Sequence, residues 1–175
     1  DAWFVRIAAL CGDATFSPTG WIGDPTETAL AMAISAVDGE RVREQTPRID
    51  EFAFDSKRKR MSTVHRWSDA NLLIAVKGAP EEVVARCTSI RTGSGTDLLS
   101  EERKRRVLAT AADLGDRGWR TLALAYRVAP EMPSTAVEAE DGLVLVAVVG
   151  MSDEIRPEAA RAVAEAQAAG IVVVM

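Results

Sequence analysis

Three strand-length segments, residues 48–55, 60–67 and 72–77, follow one another with only a few polar residues between them. The first two alternate moderately well across a short polar turn, which reads as a hairpin. Two more segments, 119–128 and 143–150, are strand-like, and the longest apolar run, 143–149, suits a buried strand. A Pro- and Glu-rich connection, 130–141, separates them. The frame of the fold is therefore a set of five strands, two of them in a hairpin.

Helices punctuate this frame. Trp3, Phe4, Ile7, Ala8 and Cys11 make an apolar helical stripe, which Gly12 and Asp13 end. In GDPTETAL, starting at Gly23, Asp24 is placed to cap a helix, Pro25 takes its first position and Glu27 its third, a capping arrangement. Gly39 is expected to stop that helix. Pro80 opens a short helix through Cys87, residues 92–97 read as a Gly/Ser/Thr loop, and Ser100 begins a long helix broken at 115–118. Past Asp153 the character changes: RPEAARAVAEAQAAG is a helical pattern feeding directly into IVVVM. A helix followed by an uninterrupted apolar strand is the half-unit of a parallel α/β sheet. At 175 residues the chain is expected to hold one α+β domain, residues 1–150, and the truncated start of a second, residues 151–175.

Composition narrows the function. A net charge of −5 argues against a general nucleic-acid binder, although an acidic chain can carry one basic pocket for a small anion. No stretch reaches the ~18 apolar residues of a membrane helix, and no basic-then-apolar leader is visible. Cys11 and Cys87 lack metal-type spacing and fit buried packing in a reducing compartment. His65, the one histidine, sits mid-strand without a serine or cysteine arrangement and reads as structural. The glycines at 93 and 95 do not make a dinucleotide fingerprint, and no GxxxxGK[ST] loop exists. The acidic pairs Asp153-Glu154 and Glu101-Glu102 suit helix starts better than a metal site.

The candidate site lies in FAFDSKRKRMSTV, residues 52–64, together with KGAPEE from Lys77. With a turn centred on Ser56 and Lys57, Phe54 would face Lys59 and Phe52 would face Met61, all on one sheet face. A ring beside an ammonium group and a methionine forms a slot for a flat base; the same residues could equally be core beneath a solvated basic turn. Lys77, at the end of an apolar strand, is expected near the sheet rim, where it can meet an anion. Gly78, Ala79 and Pro80 would let a ligand approach the backbone. Glu27 can be a cap and nothing more, and Arg120 either an exposed strand arginine or a phosphate contact.

GDPTETAL (23–30), FDSKRKRMSTV (54–64), KGAPE (77–81), RTLALAYR (120–127) and DEIRPE (153–158) occur in the order seen in P-type ATPases. The chain resembles the type II cation pumps, the calcium-pump branch most of all. The resemblance implies a nucleotide-binding domain, a twisted antiparallel sheet flanked by helical hairpins, followed by a helix–strand fragment of the phosphorylation domain. By motif position Phe54 would stack on adenine, Glu27 would lie near the base amino group, Lys59 and Lys77 would line the pocket, and Arg120 would reach the phosphates. Met61, Gly78 and Leu122 would shape the walls. Ser56 stands where many calcium pumps of animal organelles have an arginine. Asp153 and Arg156 match the joint where the chain returns to the phosphorylation domain.

The same resemblance implies that the phosphorylated aspartate of the DKTGT motif and the Mg²⁺-binding TGD motif lie outside these residues. This piece would then bind ATP (Mg-ATP in the parent enzyme) without turning it over. It would be a monomeric cytoplasmic part of an integral membrane pump, partnered by phosphorylation, actuator and transmembrane domains of the same polypeptide. A regulatory or docking domain whose degenerate pocket binds protein is the alternative. A cap-bearing phosphatase is disfavoured by the missing DxD pair.

Overall fold

The computed structural model describes residues 2–93, 95–152 and 157–174. In order, the elements are α1 (Ala2–Leu10), β1 (Thr15–Ser17), β2 (Gly20–Ile22), α2 (Pro25–Met32), α3 (Ala36–Gln45), β3 (Arg48–Asp55), β4 (Arg60–Ser68), β5 (Asn71–Gly78) and α4 (Pro80–Val84). There follow β6 (Cys87–Thr92), β7 (Gly95–Leu98), α5 (Glu101–Asp116), β8 (Arg120–Ala129), α6 (Ala136–Ala139), β9 (Leu143–Met151) and α7 (Pro157–Ala168). Seven strands form one sheet in the order β3-β4-β5-β8-β9-β6-β7. Its pairs are antiparallel except β6 with β9. The small β1–β2 hairpin stands apart. This is the expected α+β class.

The central strands are buried on both faces, and their alternation sorts two cores. Val64, Ile74, Val76, Ala123, Ala125 and Leu145 pack with Val83, Val84 and Leu99 on the side of α4 and α5. Met61, Leu73, Ala75, Leu124 and Tyr126 pack with Ile7, Leu10, Cys11 and Leu30 on the side of α1 and α2. A period of two in the strands is what lets neighbouring residues serve opposite layers. At the outer margin of the second core Trp3 stacks on Tyr126, ring centroids 3.8 Å apart, and the Arg6 guanidinium lies 4.9 Å from the Trp3 ring and 4.7 Å from Trp67.

Several expected boundaries move. Gly39 does not end a helix: the helix of Pro25 stops at Met32, and Ser35 caps a new one by accepting from the Asp38 N–H. Gly39 lies inside α3, where an added Cβ would meet Ile34 Cδ1 at 3.4 Å, an ordinary contact. Asp24 does cap α2, through the Thr26 N–H, but the Glu27 carboxylate turns elsewhere and closes no capping box. Cys87 begins a strand rather than ending a helix, and most of the expected loop at 92–97 belongs to the β6–β7 hairpin. The apolar tail does not form a strand over 171–174; those residues are exposed and irregular. Asp153 and Arg156 lie outside the described residues.

Both cysteines are buried free thiols. His65 is 2% exposed; Nδ1 lies 3.0 Å from the Thr46 carbonyl oxygen and Nε2 2.8 Å from Thr63 Oγ1. Burial pushes its pKa down from 6.5 to about 4, so the ring is neutral at pH 7 and its Nδ1–H donates to the Thr46 carbonyl. The unfolded chain therefore takes up this proton first. The stability His65 contributes is complete above pH 6.5 and is lost as pH falls toward 4, by about 3 kcal/mol in all. His65→Gln should flatten that part of the acid limb in urea melts between pH 7 and 4. An unchanged slope would remove His65 as its source.

Candidate functional site

The cleft starts from one row across three strands: Met61 on β4 pairs with Lys77 on β5, which pairs with Leu124 on β8. These three face the α1–α2 side, and two-residue steps along β8 bring Leu122 and then Arg120 to that same face. Above them α2 supplies Asp24, Thr26 and Glu27. Phe54 and Lys59 form the outer wall. Together with Gly78, Ala79 and Thr121, all of these except the buried Leu124 line a cleft of about 590 Å³. That volume falls within the range of small-molecule sites.

The outer wall depends on a register irregularity that the sequence does not reveal. Phe52 pairs with Ser62 and Asp55 with Arg60, so Ala53 and Phe54 together oppose Met61. Such an extra residue is a β-bulge, which re-aims the side chains around it. Phe52 thereby packs into the α4–α5 core while Met61 and Phe54 border the cleft. The expected pairings of Phe52 with Met61 and of Phe54 with Lys59 are thus replaced. Lys59 sits in the turn with φ of 51°, its N–H bonded to the Asp55 carbonyl at 2.6 Å. Asp55 Oδ1 accepts the N–H groups of Lys57 and Arg58, which hold its carboxyl below the usual range. Phe54 remains 63% exposed.

Lys77 is not a rim lysine. Its side chain is 8% exposed and Nζ lies 2.7 Å from Glu27 Oε1, whose side chain is 13% exposed. Glu27 Oε2 accepts the Asp13 N–H at 2.8 Å. The loop carrying that N–H is fixed in turn: Arg48 donates to the Gly12 carbonyl at 2.8 Å and to Asp13 Oδ1 at 2.7 Å, while Arg43 donates to the Ala9 carbonyl at 2.9 Å. Two arginines thus satisfy carbonyls at the end of α1 and deliver one amide to the cleft floor. The sequence reading missed them, because no local pattern links 43 and 48 to residue 13.

Arg120 donates to Thr26 Oγ1 at 3.1 Å. The Thr26 N–H holds the Asp24 carboxyl below its usual range. Among the described residues neither Arg120 nor Lys59 has a carboxylate partner. The cleft thus carries an exposed ring on one wall, a neutralised ion pair at its floor and two available cations. Glu27, Phe54, Lys59, Met61, Lys77, Gly78, Arg120 and Leu122 all border it; Ser56 is exposed in the β3–β4 turn and does not.

The family model described as "P-type ATPase, cytoplasmic domain N" matches residues 2–158. The chain belongs to this family. Relatives of the N domain include calcium-transporting ATPase 1 of Bacillus cereus, 33% identical over 168 residues, and calcium-transporting ATPase 1 of Lactococcus lactis subsp. lactis, 34% identical over 176. These alignments cover 95% and 98% of this chain but 19% and 20% of those proteins. The calcium-transporting ATPase of Bacillus subtilis is 38% identical over 157 residues, 87% of this chain and 18% of its own. The N domain described here therefore spans about a fifth of the length of these relatives. No helix among its described residues is long and apolar enough to cross a membrane.

Proposed function

We propose that the chain is the ATP-binding module of a P-type cation pump, in which Phe54 stacks on adenine and the γ-phosphate is presented to a catalytic aspartate carried elsewhere in the parent protein. The observation that supports this most directly is the exposed Phe54 ring on a cleft whose far side carries Arg120. An apolar ring left in water at a concave site is suited to a flat partner. The Glu27–Lys77 pair at the floor offers a carboxylate to an exocyclic amine and an ammonium to a ring nitrogen. Lys59 and Arg120 are the cations free to meet phosphate, and the guanidinium fork suits it best. Calcium as the transported ion follows the names of the relatives.

In this reading residues 1–150 are the nucleotide-binding unit and 151–175 begin the return to the phosphorylation domain. Aspartyl phosphorylation with Mg-ATP, ion transport and a cytoplasmic placement belong to the whole pump, with its phosphorylation, actuator and transmembrane domains as partners. The chain alone is expected to bind ATP without hydrolysing it.

Millimolar ATP should raise the melting temperature, by an amount that grows with the logarithm of one plus the ratio of ATP concentration to Kd. Arg120→Gln should weaken ATP by about fivefold, as expected for one partly exposed charge-assisted contact, and leave adenosine binding unaltered. Equal losses for ATP and adenosine would remove Arg120 from the phosphate end. No response to ATP at all would favour a docking pocket for protein.

A further inference from the structure

We propose that Glu140 is a positioning residue for the Phe54 wall, acting through Arg58 and Arg60; the inference rests on the reading of the cleft as a nucleotide site. Glu140 follows α6 in the β8–β9 connection, 82 residues from Arg58 along the chain, and is fully buried. Its Oε1 accepts from Arg58 Nη1 and, at 3.0 Å, from Ser62 Oγ. Its Oε2 lies 2.7 Å from Arg60 Nε, an ion-pair contact to a guanidinium that is itself buried.

Each arginine passes this hold to the wall of the cleft. Arg58 Nη2 donates at 2.7 Å to the carbonyl of Ala53, the residue preceding Phe54 in the bulge. Arg60 Nη1 donates at 2.8 Å to the carbonyl of Arg58, beside Lys59, and at 3.2 Å to Glu82 Oε2. The Glu140 charge thus ties down the bulge that aims Phe54 through Arg58 and shares with Glu82 the hold on the turn that carries Lys59. The bulge needs such a tie: β3 is an edge strand with β4 as its single neighbour, and a bulge interrupts the ladder locally. Burying a carboxylate with two guanidiniums is costly, and apolar residues of equal volume would stabilise the fold at least as well. The geometry imposed on residues 53–60 is what the network adds.

Glu140→Gln and the milder Arg58→Ala, made in this 175-residue chain, test the proposal with two readouts. In nucleotide-free protein, the Lys59 and Ala79 amides, bonded to the carbonyls of Asp55 and Lys59, should exchange with solvent at least about tenfold faster, while β8 amides keep their protection. In a double-mutant cycle, Glu140→Gln should weaken ATP about fivefold with Phe54 present and less than about twofold in Phe54→Ala. Unchanged exchange in the turn, or equal losses in both backgrounds, would overturn the proposal. Should Glu140→Gln fail to fold, Arg58→Ala decides by the same criteria. If Phe54→Ala weakens ATP while the Glu140 and Arg58 variants do not, the nucleotide reading survives and this proposal alone falls. If Phe54→Ala leaves ATP affinity intact, stacking on Phe54 falls and takes the proposed role with it, while absence of any ATP response would remove the nucleotide reading itself.

Discussion

Replacing Phe54 with alanine is expected to weaken ATP binding by roughly tenfold or more while leaving the fold intact. Stacking of a base on an aromatic ring is worth about 1–3 kcal/mol, which corresponds to roughly 5- to 150-fold in Kd. The ring is 63% exposed and stands outside both cores, so its loss should move the melting temperature by no more than about 2 °C. With only one domain's contacts available, the starting Kd should be roughly 0.1–5 mM, a range suited to titration by chemical-shift mapping. Perturbed resonances should cluster around Glu27, Lys77 and Leu122. Affinity unaltered by the substitution would rule out stacking at this position.

Gly78→Ala should have the opposite profile, a large loss of stability arising next to the cleft. Gly78 pairs with Arg60 on β4 and Ala123 on β8. A Cβ there would fall 2.3 Å from Arg60 Cβ, 2.6 Å from the Lys59 carbonyl oxygen and 2.7 Å from Arg60 Cα. These neighbours cannot easily retreat, because the Ala79 N–H donates to that same carbonyl at 2.9 Å and Arg60 is fixed by Glu140. Forcing strands apart at such a contact costs about 3 kcal/mol, the upper end of the usual overpacking cost, or roughly 6–12 °C in melting temperature for a chain of this size. Thermal and urea melts check it. A variant melting within a degree or two of the parent would show that the strands yield without cost.

The strands that carry the cleft were legible because β3 and β4 alternate moderately, β5 and β8 are largely apolar, and polar turns or loops bound them. The bounds of β3 match the reading from sequence, and β4, β5, β8 and β9 differ from it by a residue or so at either end. The β6–β7 hairpin was not legible: CTSIRT and GTDL are mostly polar and short, and β6 becomes a strand because β9 offers it a parallel edge. The break between α2 and α3 was hidden by alanines that suit either outcome, with Gly39 drawing attention away from Ser35. Most of the cleft could be named in advance, since its residues lie in distinctive short motifs. The side on which each acts could not be. A single bulged residue decides which phenylalanine meets the core, and the depth of Lys77 depends on Glu27, 50 residues away. Glu140 gave no local signal because its partners Arg58 and Ser62 lie 82 and 78 residues away, in the β3–β4 turn and on β4.

Where β9 ends has a mechanical consequence. Met151 pairs with Arg120, and Met151 and Ser152 border a small cavity of about 140 Å³ shared with Thr26 and Arg120. Under the proposed function, the triphosphate would therefore settle against Met151 and Ser152, where β9 ends. Occupancy would be felt directly at that end of the sheet, without any rearrangement having to travel through the seven strands.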